Sequence, residues 1–185
     1  MKISWDKLSQ ELQDIRKRTE QLVNNLSADE LARRPDPAKW SIAECISHLN
    51  LTAATIQPKI DSAIKQGKEN KIVGQGPFKS GLAGSLVLWI AEPPPKFKIK
   101  APKKILPPAS IGDPSQVIGE FMRIQDEWAR LAREADGLNL DKIKVSVDFR
   151  GLPPIRLGAM IPWMMAHQRR HLLQAEGVKQ QIRAS

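Results

Sequence analysis

Two of the three histidines in this 185-residue chain, His167 and His171, stand four residues apart in the stretch HQRRH near the C-terminus. In a helix, residues at this spacing project from one face and lie about 6 Å apart along the axis, so both imidazoles can reach one metal ion. The third histidine, His48, lies far upstream. A three-histidine metal site therefore requires a fold that brings a second helix to this one.

The spacing alone leaves other interpretations open. A histidine hydrogen-bonded in the core and a pair on the surface between helices are both common for His-x-x-x-His. On a helical wheel both histidines fall on a mainly apolar stripe, where an unpaired polar group costs about 1 to 3 kcal/mol. Arg169 points to the opposite side, and Arg170 at the edge of the stripe could meet solvent or an anionic ligand. The same stripe contains Met160, Trp163, Met164, Gln174 and Val178.

Other groups near the histidines are candidates for chemistry. His48 falls on the flank of an apolar stripe, which suits a site at the mouth of a cleft. Cys45, one turn earlier, could be a fourth ligand or a reactive thiol, but a small buried hydrophobe is the simpler interpretation. Glu44 could be a general base, although a capping-box role already explains it. Gln174, one turn beyond His171, could orient that ligand or face a substrate.

The elements that must position these groups are helices. Apolar residues recur at helical spacing in four segments, and Ser41 with Glu44 forms a capping box preceded by Trp40 as a hydrophobic staple. Pro162 falls in the first turn of the last helix or kinks it, and Gly177 is expected to end that helix. The predicted helices cover residues 5–26, 41–67, 113–137 and about 160–176.

The connections between the helices differ in length. Residues 68–112 hold half of the 14 prolines and predict a long crossover between the second and third helices, with 82–91 as a short helix within it. Residues 142–149 alternate like a strand but have no obvious partner, which indicates an extended loop. The sequence thus predicts an all-α, antiparallel-type four-helix bundle, with residues 1–185 forming a single domain and Phe121 and Trp128 in its core.

Composition narrows the functional class. With 41% hydrophobic and 26% charged residues the chain resembles an ordinary soluble protein, and its longest apolar run is too short to span a membrane, so no membrane partner is expected. One cysteine and no secretory leader point to the cytoplasm. The formal charge of +9 includes five lysines in 94–104. Without a nucleic-acid motif, these lysines predict a solvated basic loop rather than a nucleic-acid site.

Two stretches carry a family resemblance. The run LSADELARRPDPAKWSIAECISHLN (26–50) and the later AHQRRHLLQAEGV (166–178) resemble the DinB-like superfamily of metal-binding four-helix bundles. The resemblance implies one divalent metal ion held by His48, His167 and His171, with the remaining positions open to water or substrate. Zinc and nickel are the foremost candidates, and iron or copper would also accept imidazoles.

The same resemblance implies a range of activities. Members of the superfamily are similar to low-molecular-weight-thiol S-transferases, and others look like metal-dependent hydrolases or isomerases. The chain is therefore expected to act on a small molecule, with a low-molecular-weight thiol as one candidate, and a homodimer is one candidate assembly. The crossover 68–112 would be the natural lid. The alternative is a non-catalytic metal-binding or scaffold protein whose basic loop contacts an acidic partner.

Overall fold

The computed structural model describes residues 5–94, 100–147 and 153–184. Within these ranges four long helices form the predicted four-helix bundle, and shorter elements occupy the connections. In chain order the elements are α1 (Trp5–Val23), α2 (Ala28–Ala32), α3 (Ile42–Glu69), α4 (Gly81–Ala91), a 3₁₀ turn (Lys103–Ile105), α5 (Pro114–Glu134), β1 (Lys144–Val145), β2 (Ile155–Arg156) and α6 (Leu157–Ala184).

The start of α3 is fixed by the predicted capping box. The Ser41 hydroxyl accepts from the Glu44 N–H at 3.1 Å, and a Glu44 carboxylate oxygen accepts from the Ser41 N–H at 2.8 Å. A second box, between Ser27 and Glu30, starts α2. This second box was not predicted from the sequence. The first helix, predicted at 5–26, ends earlier, at Val23.

The third predicted helix has the expected start. Asp113 is the N-cap and accepts from the Ser115 N–H at 2.9 Å, while Pro114 occupies the first helical position. The helix ends at Glu134, and Gly137 follows with a φ of +76°. Phe121 and Trp128 are buried in the core, as the helical stripe predicts.

Helices α3 and α5 run parallel. Near their starts, the Asn50 side chain donates to the Val117 carbonyl at 2.8 Å, and near their ends Lys68 pairs with Glu134 at 3.2 Å. The prediction of an antiparallel-type bundle is therefore wrong for this pair. Because the chain must return along the whole bundle between two parallel neighbours, it needs the long crossover that separates them.

Helices α3 and α6 run antiparallel, which brings the histidines together. Gly67 near the end of α3 packs against Ile143, whose carbonyl accepts from the N–H of Leu157, the first residue of α6, at 2.9 Å. At the other end of the interface, His48 lies beside His167. This pairing could not be predicted from the sequence, because a helical wheel describes one helix at a time.

The short helix expected at 82–91 is α4, which packs along α6. Gly84 allows this close approach, since a Cβ at this position would overlap the Cβ of Ala159. Of the lysine-rich stretch 94–104, residues 95–99 lie outside the described part of the chain. None of the described helices has the length and apolar character needed to cross a membrane.

Two predictions around the last helix need correction. Residues 144–145 of the expected extended loop pair antiparallel with 155–156, because Val145 and Ile155 are both buried against the core; residues 148 and 149 lie outside the described ranges.

The last helix is also longer than predicted. It begins at Leu157, contains Pro162, and passes through Gly177 to Ala184. The cost of a helical glycine, about 1 kcal/mol, is outweighed here because Val178 and Ile182 beyond it are buried in the core.

Candidate metal centre

The three histidines of the chain converge between α3 and α6. One ring nitrogen from each of His48, His167 and His171 lies within 4.8 Å of the others, and the Nε2 atoms of His48 and His167 are 3.3 Å apart. Two nitrogens bound to one ion at about 2.1 Å with a tetrahedral angle would lie about 3.4 Å apart. Among the described residues, this is the one group of three or more histidine, cysteine or carboxylate side chains with such a geometry.

Outer hydrogen bonds orient two of the rings. His48 Nδ1 lies 2.6 Å from the carbonyl oxygen of Ile105, which can only accept, so Nδ1 carries the proton and Nε2 keeps its lone pair. His171 Nδ1 lies 3.0 Å from the Gln174 side-chain oxygen and donates in the same way. Such bonds commonly orient metal-binding histidines. His167 Nδ1 is buried without a hydrogen-bond partner in the described part of the structure.

Tryptophans flank the imidazoles on two sides. Trp163, one turn before His167 on α6, stacks on its ring with centroids 5.2 Å apart and planes inclined by 19°. Trp40 lies 5.1 Å from the His48 ring and 6.0 Å from the His171 ring. Trp40, predicted as a staple, therefore also covers the histidines. The spacing from Trp163 to His167 placed both on one stripe, but the stacking was not anticipated.

His48 is more buried than the helical wheel suggested. Its side chain is 2% exposed, whereas the prediction placed it at a cleft mouth. Trp40 and the 3₁₀ turn ending at Ile105 cover the flank of α3 that would otherwise be open. His167 and His171 are only half-buried, so solvent can reach the cluster from the side of α6.

The surroundings favour neutral imidazoles. Burial lowers the pKa of His171 to about 3, and it lowers the pKa of His167 well below the usual value, with the neighbouring histidines and Arg170 adding to the effect. Burial also lowers the pKa of His48, although its bond to Ile105 acts in the opposite direction. Because a metal ion needs the neutral ring, the cluster can donate its lone pairs at neutral pH without first losing protons.

The arginines between the histidines face the rest of the fold. Arg169 pairs with Glu92 at 2.6 Å and with Glu11 of α1. Arg170, predicted to meet solvent or an anionic ligand, donates to the Ile90 carbonyl at 2.9 Å. Both arginines thus tie the C-terminal end of α4 to α6, while the histidines on the same turns face α3.

Of the three remaining candidates, Glu44 and Cys45 have contacts that explain them as structural residues. Glu44 receives a bidentate pair from Arg34 besides the capping bond from Ser41. Burial would raise its pKa, but the bonds from Arg34 and Ser41 outweigh this and hold the pKa below the ordinary value. Cys45 is fully buried outside the histidine group, and burial raises the pKa of its thiol to about 12. Gln174 is the candidate that contacts a histidine.

Fold and site together define a helical bundle with a candidate metal centre between two of its helices. The family model of the DinB superfamily matches residues 11–175, and the chain belongs to this superfamily. Among solved structures, it is similar to YfiT from Bacillus subtilis, described as a probable metal-dependent hydrolase with an unusual four-helix bundle topology. That match has a TM-score of 0.63 and 14% identity, and covers 97% of this chain and 90% of YfiT, which establishes the fold. Comparison with curated proteins finds no significant match.

Proposed function

We propose that His48, His167 and His171 hold one divalent metal ion and that the chain is a metal-dependent enzyme acting on a small molecule. The observation that carries this proposal is the convergence, within 4.8 Å, of three ring nitrogens from α3 and α6. Three neutral nitrogen ligands with further positions open are typical of a catalytic rather than a structural ion. Zinc and nickel suit such a set, and the ligands alone do not choose between them.

When bound, an ion of this kind supplies Lewis acidity, which lowers the pKa of a water or thiol and makes it nucleophilic near neutral pH. The residues of the chain prepare the site for it. Ile105 and Gln174 hold the tautomers of His48 and His171, and Trp163 fixes the ring plane of His167. This preorganisation means that little side-chain entropy is lost on binding.

No carboxylate belongs to the described histidine cluster. Glu44, the nearest candidate base in the sequence, is engaged by Arg34 and Ser41. The proton of the nucleophile would therefore leave to solvent or to a group on the substrate. Gln174, which is exposed and borders His171, is the described side chain placed to contact a substrate on the accessible side.

Hydrolysis is the reaction that we favour. The similarity to YfiT, described as a probable metal-dependent hydrolase, supports it, while transfer of a low-molecular-weight thiol is the alternative that the superfamily suggests. Both reactions would use the same nucleophile-activating chemistry, so the identity of the nucleophile is the property that an experiment must determine.

Metal content tests the site. Elemental analysis of the purified protein is expected to find one divalent ion per chain, and His48→Ala, His167→Ala and His171→Ala should each abolish stoichiometric retention. Gln180→Ala, at an exposed position of α6, is the matched control and should retain the ion. Full metal content in His48→Ala would exclude the three-histidine site.

Turnover tests the reaction. The metal-loaded protein would be assayed on nitrophenyl esters, amides and alkyl halides, with and without glutathione, bacillithiol or mycothiol. Turnover by water alone that His167→Ala abolishes supports the hydrolase, whereas turnover that requires a thiol supports the transferase. A metal-loaded protein with neither activity would favour the non-catalytic scaffold.

A further inference from the structure

Two stretches of the crossover between α3 and α5 contact the bundle at the level of the histidines. The 3₁₀ turn provides the Ile105 carbonyl, which accepts from Nδ1 of His48 at 2.6 Å. The end of α4 provides the Ile90 carbonyl, which accepts from Arg170 at 2.9 Å. His48 is a candidate ligand and Arg170 directly precedes another, so both stretches are attached at the candidate metal centre.

Arg169 adds a charged contact to this attachment. Its guanidinium donates to Glu92, just after α4, at 2.6 Å and also pairs with Glu11 of α1. The side chains of Arg169, Glu11 and Glu92 are 27%, 29% and 34% exposed, so water shields these pairs less than it shields a fully exposed pair. Arg169 lies midway between His167 and His171, so the charged contact is made by the same helical turn as both ligands.

The bond from His48 to Ile105 determines which nitrogen of His48 can bind an ion. The carbonyl holds the proton on Nδ1 and leaves the Nε2 lone pair facing His167, 3.3 Å from its Nε2. When the 3₁₀ turn moves away, the neutral ring loses this acceptor and is free to rotate or to carry its proton on the other nitrogen. Loss of such an outer partner commonly weakens metal binding by about 10- to 100-fold. An ion should therefore bind more tightly when the turn is in place.

We propose that docking of the crossover onto α3 and α6 is coupled to ion binding at the three histidines, with Glu92 and Ile105 as positioning residues. This inference rests on the proposed metal site. Coupling between two equilibria is reciprocal, so an ion that binds the docked form more tightly also holds the crossover in place by the same factor. The crossover therefore opens less often when the ion is bound, and a contact that holds the crossover also strengthens ion binding.

Limited trypsin digestion of the full chain measures the opening of the crossover. Lys103 and Lys104 are exposed cleavage sites in the 3₁₀ turn, and cleavage there follows the population of locally opened chain. Lys142 is the internal control, because it is exposed in a turn beside Ile143, which packs at the other end of α3.

Zinc should slow cleavage in the 3₁₀ turn about tenfold relative to cleavage after Lys142 in the same digest. An ion that only stabilised the whole fold would slow cleavage at both places alike. Equal slowing at the two places would therefore overturn the coupling.

Two carboxylates on one arginine provide matched variants. Glu92→Gln removes the charged partner of Arg169 on the crossover, whereas Glu11→Gln removes its charged partner on α1. Glu92→Gln should speed cleavage in the 3₁₀ turn of the metal-free protein about fivefold and weaken zinc binding by a similar factor. Glu11→Gln should leave both nearly unchanged. Competition with a chromophoric chelator measures the affinity, and equal losses of affinity in the two variants would overturn the role of the crossover.

Histidine variants separate the coupling from the proposed metal site. Without metal, His48→Ala should speed cleavage in the 3₁₀ turn because it removes the partner of Ile105, whereas His171→Ala, which also removes a candidate ligand, should not. A wild-type chain that binds neither zinc nor nickel would overturn the proposed function and the coupling with it. A chain that binds zinc without specific slowing of cleavage in the turn would overturn the coupling alone. Circular dichroism of each variant checks that the helices are intact.

Discussion

The Nε2 atoms of His48 and His167 face each other at 3.3 Å across the interface of α3 and α6. Because Ile105 holds the proton of His48 on Nδ1, the facing nitrogen of His48 presents a lone pair toward His167. A single proton or a single cation can lie between the two rings, and the ring of His171 provides a third nitrogen within reach. One cation accounts for the convergence of three imidazole nitrogens more simply than a chain of hydrogen bonds does.

Metal affinity should depend on the residue that orients His171. Gln174→Ala removes the acceptor of the Nδ1–H, which frees the ring to rotate, and it should weaken binding of the ion about tenfold. Competition with a chromophoric chelator measures the change. Gln180→Ala provides the control on the same helix and should leave the affinity unaltered. An unchanged affinity in Gln174→Ala would mean that packing by Trp40 alone holds the ring.

Cys45 should be inert in the native protein. Burial raises the pKa of its thiol to about 12, so almost no thiolate exists between pH 7 and pH 9, and solvent cannot reach the sulfur. A disulfide reagent should react with the denatured protein at once and with the native protein only as fast as it opens. Cys45→Ala should keep the metal. Loss of the ion in this variant would show that the Cys45 thiol is a fourth ligand.

The ion pair between Glu44 and Arg34 should stabilise the fold. Glu44→Gln keeps the shape of the capping residue but loses the charge-assisted bonds, at a cost of about 2 kcal/mol. Chemical denaturation at neutral pH measures this cost. The capping box at Glu30 is exposed, so Glu30→Gln is the control and should cost less.

The contribution of Glu44 should depend on pH. Its folded-state pKa lies below the ordinary value of 4.5, so the stabilisation is present above that value and is lost as the pH falls through the lowered pKa. The difference in stability between the wild type and Glu44→Gln should therefore shrink in acid. A difference that grew in acid would contradict the assigned direction of the shift.

How far the sequence could predict this molecule depends on whether a feature is local. The start of α3 was predictable because Ser41 and Glu44 satisfy each other within one turn. The pair His167 and His171 was equally local, and the family motif added His48. The covering of His48 by the segment that contains Ile105 was not predictable, because that segment is distant in the sequence and no helical periodicity connects it to α3.

The predicted end of α6 was wrong for the same reason, because the contacts that extend this helix are not local. Gly177 is a stop signal when nothing beyond it is buried, but Val178 and Ile182 have tertiary partners that the local sequence does not reveal. The parallel pairing of α3 with α5 likewise depends on contacts such as that of Asn50 with Val117, which become visible only in the folded chain.

Trp128 should be essential for stability through its volume rather than its polar atom. Its side chain is 2% exposed, so Trp128→Ala should cost about 3 to 5 kcal/mol. Its Nε1 has no hydrogen-bond partner in the described structure, so Trp128→Phe loses no bond and should cost less than about 1.5 kcal/mol. Denaturant unfolding of both variants checks the contrast, and equal costs would indicate a partner for the indole.

The tryptophans beside the histidines should report metal binding by their fluorescence. Trp163 stacks on His167 at 5.2 Å and Trp40 lies 6.0 Å from His171, so nickel or cobalt bound there should quench both. Trp128 is the control. It lies near the Arg130–Asp61 pair, and Asp61 is displaced from His48 by about 20 Å along α3. Quenching should fall strongly when Trp40→Phe and Trp163→Phe are combined and persist in Trp128→Phe. Quenching that survived the double substitution would place the ion away from the histidines.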